Sequence, residues 1–175
     1  MTERHPPKDV PPETVEPRTG AVLDLDEFRA ALAPGQRLIG IDVGTKTLGL
    51  ALSDVSRMIA SALETIRRTK FQPDMQRLLA IAADHRVGGY VVGLPRNLDG
   101  SEGPRAQSTR AFARNLSGLV AVPILLWDER LSTAEAERML IAADASRQRR
   151  AEVIDKLAAT IILQGALDRM RDARF

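Results

Sequence analysis

A single carboxylate interrupts an apolar run near the middle of the chain's first half. Asp42 stands between Ile41 and Val43, and an ionised acid costs several kcal/mol to bury unless a cation or several donors meet it. The next residues, Gly44 to Thr47, offer backbone N–H groups, a hydroxyl and the Lys46 ammonium. The pattern predicts an acid beside a phosphate-sized anion cradle. The alternatives are an acid that caps the turn and a solvated turn lysine.

Further carboxylates follow other apolar segments. Asp128 and Glu129 end a buried-strand pattern, and spacing does not rank them, because one of two adjacent acids faces the site and the other is free to pair with Arg130. Asp155 lies on a small, apolar helical stripe, which predicts that it faces inward; its alternative is an acid favoured by a helix N-terminus. The stripe consists of Ala158, Ala159, Ile162 and Ala166. These acids can converge with Asp42 from three separate elements.

The composition limits the metals that such a site could bind. The chain has no cysteine and two histidines, His5 and His85, so oxygen ligands would have to do the work, which favours Mg²⁺ or Mn²⁺. Two such ions about 4 Å apart can activate a water and steady the leaving oxygen in phosphodiester cleavage. The sequence therefore indicates a magnesium-dependent carboxylate cluster.

The elements that must position these acids alternate between strand and helix patterns. Two strands and a tight turn fit Leu38–Asp54, a third strand fits Met58–Ile66, and later strands fit Tyr90–Leu94 and Val122–Trp127. Helices are predicted from Leu23 to Pro34, Pro73 to His85, Pro104 to about Leu119, Ser132 to about Ala143 and Glu152 to Met170. This order predicts an α/β fold with a mixed five-stranded sheet, an antiparallel meander followed by parallel strands, with helices on both faces.

The ends and the overall charge give weaker information. Residues 1–20 carry five prolines among polar side chains and are predicted to be a disordered tail, with residues 21–175 forming a single domain. There is no secretory signal and no apolar run long enough for a membrane helix. We therefore expect a cytoplasmic protein without membrane contact. The net charge of +2 is too small by itself to establish nucleic-acid binding.

Local clusters of polar and basic residues are better candidates for nucleic-acid contact than the net charge. The loop Pro95–Gly103 follows a central strand, and a basic segment, Asp144–Arg150, reads as an exposed loop. The alternatives are an ordinary surface turn and an ordinary solvated loop. The predicted nucleic-acid-binding residues are Lys46, Arg96, Asn97, Arg130, Arg147, Arg149 and Arg150.

Four segments together carry a family resemblance. They read D-V-G-T-K-T-L-G-L-A-L-S-D, V-V-G-L-P-R-N-L-D-G-S-E-G, D-E-R-L-S-T-A-E-A and V-I-D-K-L-A-A-T-I-I-L-Q. In this order and spacing, from Leu38 to about Leu167, they resemble the signature blocks of the YqgF family, a bacterial branch of the ribonuclease H-like superfamily related to Holliday junction resolvases. One departure is Thr47, where a basic residue commonly follows the lysine, so one phosphate contact of the family pattern is in question.

The resemblance implies a fold, an activity and a set of site residues. It implies a ribonuclease H-like domain and a metal-dependent nuclease that matures the 5′ end of pre-16S ribosomal RNA. The family's acidic residues map onto Asp42, Glu129 and Asp155, which would be both catalytic and metal-binding. Pre-rRNA is the favoured nucleic-acid partner over branched DNA on family grounds alone.

Three alternatives remain at this level. A Holliday junction resolvase in DNA recombination would need two active sites, hence a homodimer, and the sequence fits a monomer or a homodimer. A non-catalytic RNA-binding ribosome-assembly factor could keep the acids without turnover. Sugar and acetate kinases of the actin-like group share the D-x-G-T opening, but they need two such lobes, and 175 residues with one D-x-G-T supply one.

Overall fold

The computed structural model describes residues 20–131 and 147–173, the latter with side chains from Ile154 onward. No helix among these residues is long and apolar enough to cross a membrane. The predicted tail up to residue 19 and the helix predicted from Ser132 lie outside the described residues. The strands are β1 (Val22–Leu23), β2 (Arg37–Val43), β3 (Thr47–Ser53), β4 (Ala60–Arg67), β5 (Val87–Leu94) and β6 (Ile124–Asp128). The helices are α1 (Leu25–Ala31), α2 (Phe71–Asp84), α3 (Pro104–Ser117) and α4 (Arg147–Asp172), and a 3₁₀ turn covers Glu129–Leu131.

One mixed sheet forms the centre of the fold, in the order β1-β6-β5-β2-β3-β4. The pairs β2–β3 and β3–β4 are antiparallel, and the pairs β2–β5, β5–β6 and β1–β6 are parallel. The predicted meander followed by parallel strands is therefore confirmed. The predicted count of five strands is wrong by one, because Val22 and Leu23 add a short parallel strand beside β6.

Local signals explain where two of the helices begin. Asp24 caps α1 through a capping box, in which its carboxylate accepts the Glu27 N–H and the Glu27 side chain accepts the Asp24 N–H. Pro104 occupies the first turn of α3, where its missing N–H costs nothing. The last helix departs from prediction: α4 begins at Arg147, so residues 147–150 are helical and not part of a loop.

Two apolar layers pack on the two faces of the sheet. Because successive strand residues point to opposite faces, Ile39, Ile41 and Val43 of β2 join the layer under α2 and α3. Leu38 belongs to the other layer, with residues of α4. The predicted inward stripe of α4 is confirmed, since Ala159, Ile162 and Ala166 are buried. Helices on both faces are thus confirmed as well.

Glycines let α4 lie unusually close to the sheet. A Cβ atom placed on Gly40 would stand 2.6 Å from the Leu163 Cβ and 2.8 Å from the Ala159 carbonyl oxygen, and one on Gly49 would stand 2.1 Å from the Asp155 carbonyl oxygen. Gly93 repeats the pattern on β5, where a Cβ would meet the Ile162 Cδ1 at 2.4 Å. At these three positions the helix leaves no room for a side chain on the strand.

We expect Gly40→Ala to destabilise the protein by about 1–3 kcal/mol, because the added methyl group overpacks the interface between the sheet and α4. Urea denaturation measures the free energy of unfolding. Gly118→Ala is the matched control, since a Cβ there meets its nearest atom, the Asn115 carbonyl oxygen, at an ordinary 3.5 Å. Equal stability of the two variants would contradict the close packing.

Candidate active site

Asp42 and Asp155 are brought together by the packing of α4 on the hairpin of β2 and β3. Asp42 is half-buried near the carboxyl end of β2, and Gly49 is its partner across the hairpin. The Asp155 Cβ lies 3.1 Å from the position that a Cβ on Gly49 would occupy. Asp155 therefore lies directly over the strand next to Asp42. Since α4 begins at Arg147, Asp155 is in its third turn, and the helix N-terminus does not account for this acid.

Thr47 fixes the Asp155 carboxylate. Its Oγ1 donates to the Asp155 Oδ2 at 2.5 Å, joining the first residue of β3 to α4. This contact was missed by sequence analysis, which treated Thr47 as a departure from a family pattern. The two residues are 108 positions apart, so no local spacing could reveal the hydrogen bond.

Glu129 and Asp128 have separate roles, although they are adjacent in sequence. Asp128 ends β6 and pairs with Arg130 at 2.7 Å and with Arg96 at 3.9 Å. The Glu129 Oε1 instead lies against Gly93 of β5, 2.6 Å from the position of an added Cβ. Glu129 is half-buried in the 3₁₀ turn. Of the two acids, Asp128 is thus the one that pairs with Arg130, which leaves Glu129 for the site.

Electrostatic interactions link these carboxylates. Burial, followed by the negative charge of Asp155, raises the pKa of Asp42 to about 6 from an ordinary 3.8. Burial, followed by the charge of Asp42, also raises the pKa of Glu129. By contrast, the hydrogen bond from Arg130 lowers the pKa of Asp128. Asp42 is therefore the central acid of the three, influenced by Asp155 and influencing Glu129.

Arg105 is a site residue that the sequence did not single out among the arginines of α3. Its positive charge opposes the upward pKa shifts of both Asp42 and Glu129, which places it near both acids. Arg105 is in the first turn of α3 and exposed, with no ion-pair partner in the part of the chain that the structure describes. A cation at the edge of an acidic cluster suits a substrate that carries negative charge.

The β2–β3 turn, predicted to bind an anion, has one backbone donor fewer than the sequence indicated. The Gly44 N–H donates to the Thr47 carbonyl at 2.9 Å and closes the turn, so it is not available to a phosphate. Lys46 is exposed at the tip of this turn. Its ammonium is therefore free to extend towards a ligand, as predicted for a phosphate contact.

The other predicted nucleic-acid contacts fall into two groups. Arg96 and Arg130 belong to the ion pairs of Asp128, and the Asn97 amide donates to Ser101 at 2.9 Å within its own loop. Arg147, Arg149 and Arg150 are in the first turns of α4, and their side chains lie outside the described residues. Nucleic-acid contact at all these positions stays a prediction.

The site suits a divalent cation, on the chemistry of its donors. Asp42, Glu129 and Asp155 supply carboxylate oxygens, the ligands that Mg²⁺ and Mn²⁺ prefer. Among the residues that the structure describes, no three acidic or histidine side chains form a ready-made metal-binding group. Burial, followed by the charge of a neighbouring acid, raises the pKa of Asp42 and of Glu129, and a bound cation would favour their charged forms.

The pKa of Asp42 predicts a pH-dependent stability. Between pH 3.8 and about 6 the folded protein holds a proton that the unfolded chain has released, so stability falls as the pH rises through this window. We expect metal-free Asp42→Asn to be more stable than the unsubstituted protein by about 1–2 kcal/mol above this window. The difference should shrink at its acidic end. Urea denaturation in EDTA over a pH series measures it.

Asp84→Asn is the control for this measurement, since it makes the same chemical change at the exposed end of α2. A less stable Asp42→Asn protein at neutral pH would contradict the crowding of carboxylates around Asp42.

Comparisons with known proteins show which family the chain is similar to. Residues 36–169 match the family described as "RuvX: Holliday junction resolvase". A protein of Beijerinckia indica named "Putative pre-16S rRNA nuclease" is 64% identical over 149 residues, 85% of this chain and 90% of that protein. A protein of Cereibacter sphaeroides with the same name is 64% identical over 146 residues, 83% of this chain and 91% of its own length.

A solved structure extends the comparison to the fold alone. The T. thermophilus RuvC in complex with Holliday junction substrate matches with a TM-score of 0.50 at 17% identity, over 78% of this chain and 96% of that chain. This likeness confirms the predicted ribonuclease H-like fold. The family match over residues 36–169 and the relatives at 64% identity confirm the resemblance that four sequence segments indicated. The chain belongs to the RuvX (YqgF) family.

Proposed function

We propose that this protein is a metal-dependent nuclease that hydrolyses phosphodiester bonds, with the 5′ end of pre-16S ribosomal RNA as its substrate. The observation that carries the proposal is the half-buried Asp42 with Asp155 and Glu129 as charged neighbours, each from a different element. Burial of like charges is unfavourable for stability and is typical of sites that need those charges.

Asp42, Glu129 and Asp155 are the residues that would hold Mg²⁺ or Mn²⁺. When bound, such an ion activates a water and stabilises the leaving oxygen of a phosphodiester. Asp42 would be the central ligand, because it interacts with both other acids. Thr47 orients Asp155 through its 2.5 Å hydrogen bond. Arg105, beside the acids, is placed to meet the negative charge of a phosphate.

The names of the relatives support pre-16S ribosomal RNA as the substrate. Two relatives at 64% identity are each named a pre-16S rRNA nuclease, and they match most of this chain. Ribosome biogenesis in the cytoplasm is the setting that this activity would require. Holliday junction cleavage is the second candidate, favoured by the description of the matching family. It would require two copies of the site, one for each of two strands.

Substitution of Asp42 tests the nuclease directly. We expect Asp42→Asn to reduce cleavage by about 100-fold or more, since the loss of a metal ligand removes several kcal/mol of transition-state stabilisation. The assay compares a 5′-extended ribosomal RNA precursor with a four-way DNA junction, each with Mg²⁺, Mn²⁺ or EDTA. The faster substrate distinguishes the two candidate functions.

Asp84→Asn again serves as the matched control and should cleave at the unsubstituted rate. Unchanged cleavage by Asp42→Asn would refute the assignment of the site. If the unsubstituted protein binds the RNA but cuts neither substrate with either metal, the non-catalytic assembly factor becomes the better description.

Thr47 offers a second, subtler test. Thr47→Val keeps the size of the side chain but removes the hydroxyl that holds Asp155. We expect the metal concentration for half-maximal cleavage to rise about tenfold, as is typical when a residue that orients a metal ligand is lost. Thr47→Ser retains a hydroxyl and should restore the lower value. Equal metal dependence of the valine and serine variants would show that the hydrogen bond has no role.

A further inference from the structure

The arginines near the carboxylates differ in whether their charges are already neutralised. Arg96 pairs with Glu102 at 3.2 Å, Arg110 pairs with Glu102 at 2.6 Å, and Arg130 pairs with Asp128. These pairs join the Pro95–Gly103 loop to α3 and to the end of β6. We call this group the paired arginines. The neighbouring carboxylates offset their charges, so they attract a phosphate less strongly than an arginine without an ion pair does.

A small cleft on the other side of the β2–β3 turn has the opposite character. It has a volume of about 180 Å³ and lies between this turn, the end of β4 and the first turns of α3. We call it the α3 cleft. Among the described residues, no acidic one lines it, and its polar lining consists of Thr45, Arg68, Arg105, Ser108 and Thr109.

The two arginines of the α3 cleft are not held in ion pairs by the described residues. The Arg68 Nη1 donates to the Gly44 carbonyl at 2.7 Å, which fixes this guanidinium against the turn without cancelling its charge. Neither Arg68 nor Arg105 has an ion-pair partner among residues 20–131 and 154–173. Two guanidinium groups that are not held in ion pairs, together with the hydroxyls of Thr45, Ser108 and Thr109, suit a phosphate.

The α3 cleft is separate from the carboxylates, although it is close to them. Val43, which also lines the cleft, packs in the apolar layer under α2 and α3. Its neighbour Asp42 points to the opposite face of the sheet, towards Asp155, because successive strand residues alternate. Arg105 is the link, since its charge reaches Asp42 and it also lines the cleft.

We propose that the α3 cleft binds a backbone phosphate of the nucleic-acid substrate other than the one that is cleaved, and that the paired arginines do not contact the strand, which replaces the prediction from sequence for Arg96 and Arg130. This inference rests on the proposed function, because it takes the substrate to be a polynucleotide. With a phosphate in the α3 cleft, the nucleic-acid strand would run from the carboxylates past Arg105 towards the end of β4. The Pro95–Gly103 loop then serves to position the end of β6.

The salt dependence of binding separates the two sets of arginines. In EDTA, where no metal-dependent cleavage occurs, binding of a short single-stranded RNA and of a four-way DNA junction is measured by fluorescence anisotropy across a salt series. Arg105→Gln should reduce the slope of log K against log salt by about 0.7 for the single strand and about 0.9 for the duplex. Arg114→Gln, the same change at an exposed position near the end of α3, should leave the slope unchanged, as should Arg130→Gln.

A charge inserted into the cleft gives an independent test. Ser108→Glu places a carboxylate in the α3 cleft and should weaken binding about tenfold or more through repulsion of the phosphate. Gln107→Glu adds the same charge one residue away, at an exposed position that does not line the cleft, and should change binding less than about twofold. Thermal unfolding of both variants checks that the fold is retained.

The outcomes distinguish this inference from the proposed function. If the unsubstituted protein cleaves its substrate but Ser108→Glu and Gln107→Glu bind it equally well, phosphate binding in the α3 cleft is refuted and nuclease activity is supported. If Arg105→Gln and Ser108→Glu weaken binding as expected but the unsubstituted protein cleaves neither substrate, phosphate binding in the α3 cleft is supported and nuclease activity is refuted. Equal slopes for Arg105→Gln and Arg114→Gln, or a reduced slope for Arg130→Gln, would overturn the inference.

Discussion

The close contact between α4 and the sheet is the constraint on which the site depends. Gly40, Gly49 and Gly93 carry no side chains at the points where strands β2, β3 and β5 come closest to the helix. Any larger residue at Gly49 would collide with the backbone of Asp155 itself. The geometry that buries the apolar stripe of α4 is thus the same geometry that places its carboxylate beside Asp42. Stability and site assembly are consequently coupled in this fold.

Asp42 and Glu129 lie close to other negative charges, whereas Asp128, next to Glu129 in sequence, pairs with an arginine. Asp42 and Glu129 have raised pKa values from burial and from neighbouring acids, whereas Asp128 has a lowered pKa from Arg130. Two adjacent residues, Asp128 and Glu129, therefore experience opposite environments. This separation is what a site needs if some carboxylates bind a cation while others hold the surrounding loops in position.

Sequence patterns predicted the mixed sheet, the two helical layers and the inward face of α4, because apolar periodicity records burial directly. They missed β1, since two residues are too few to show a period. They also missed the helical state of residues 147–150, because a segment without large apolar residues shows no periodicity, although Arg and Gln have good helix propensity. The Thr47–Asp155 hydrogen bond and the proximity of Arg105 to Asp42 and Glu129 were not predicted, because these residues are distant in sequence and meet only through tertiary packing.

The outer strand β4 has a consequence for self-association. It ends the sheet, and an unpaired strand edge can template the addition of another chain. A register shift beside Ala51 and the Glu64–Arg77 ion pair interrupt this edge with a bulge and with charge, while the opposite edge is the two-residue β1. Both features oppose extension of the sheet between molecules. Within the described residues, helices and loops are therefore better suited than the strand edges to contact a second copy of the chain.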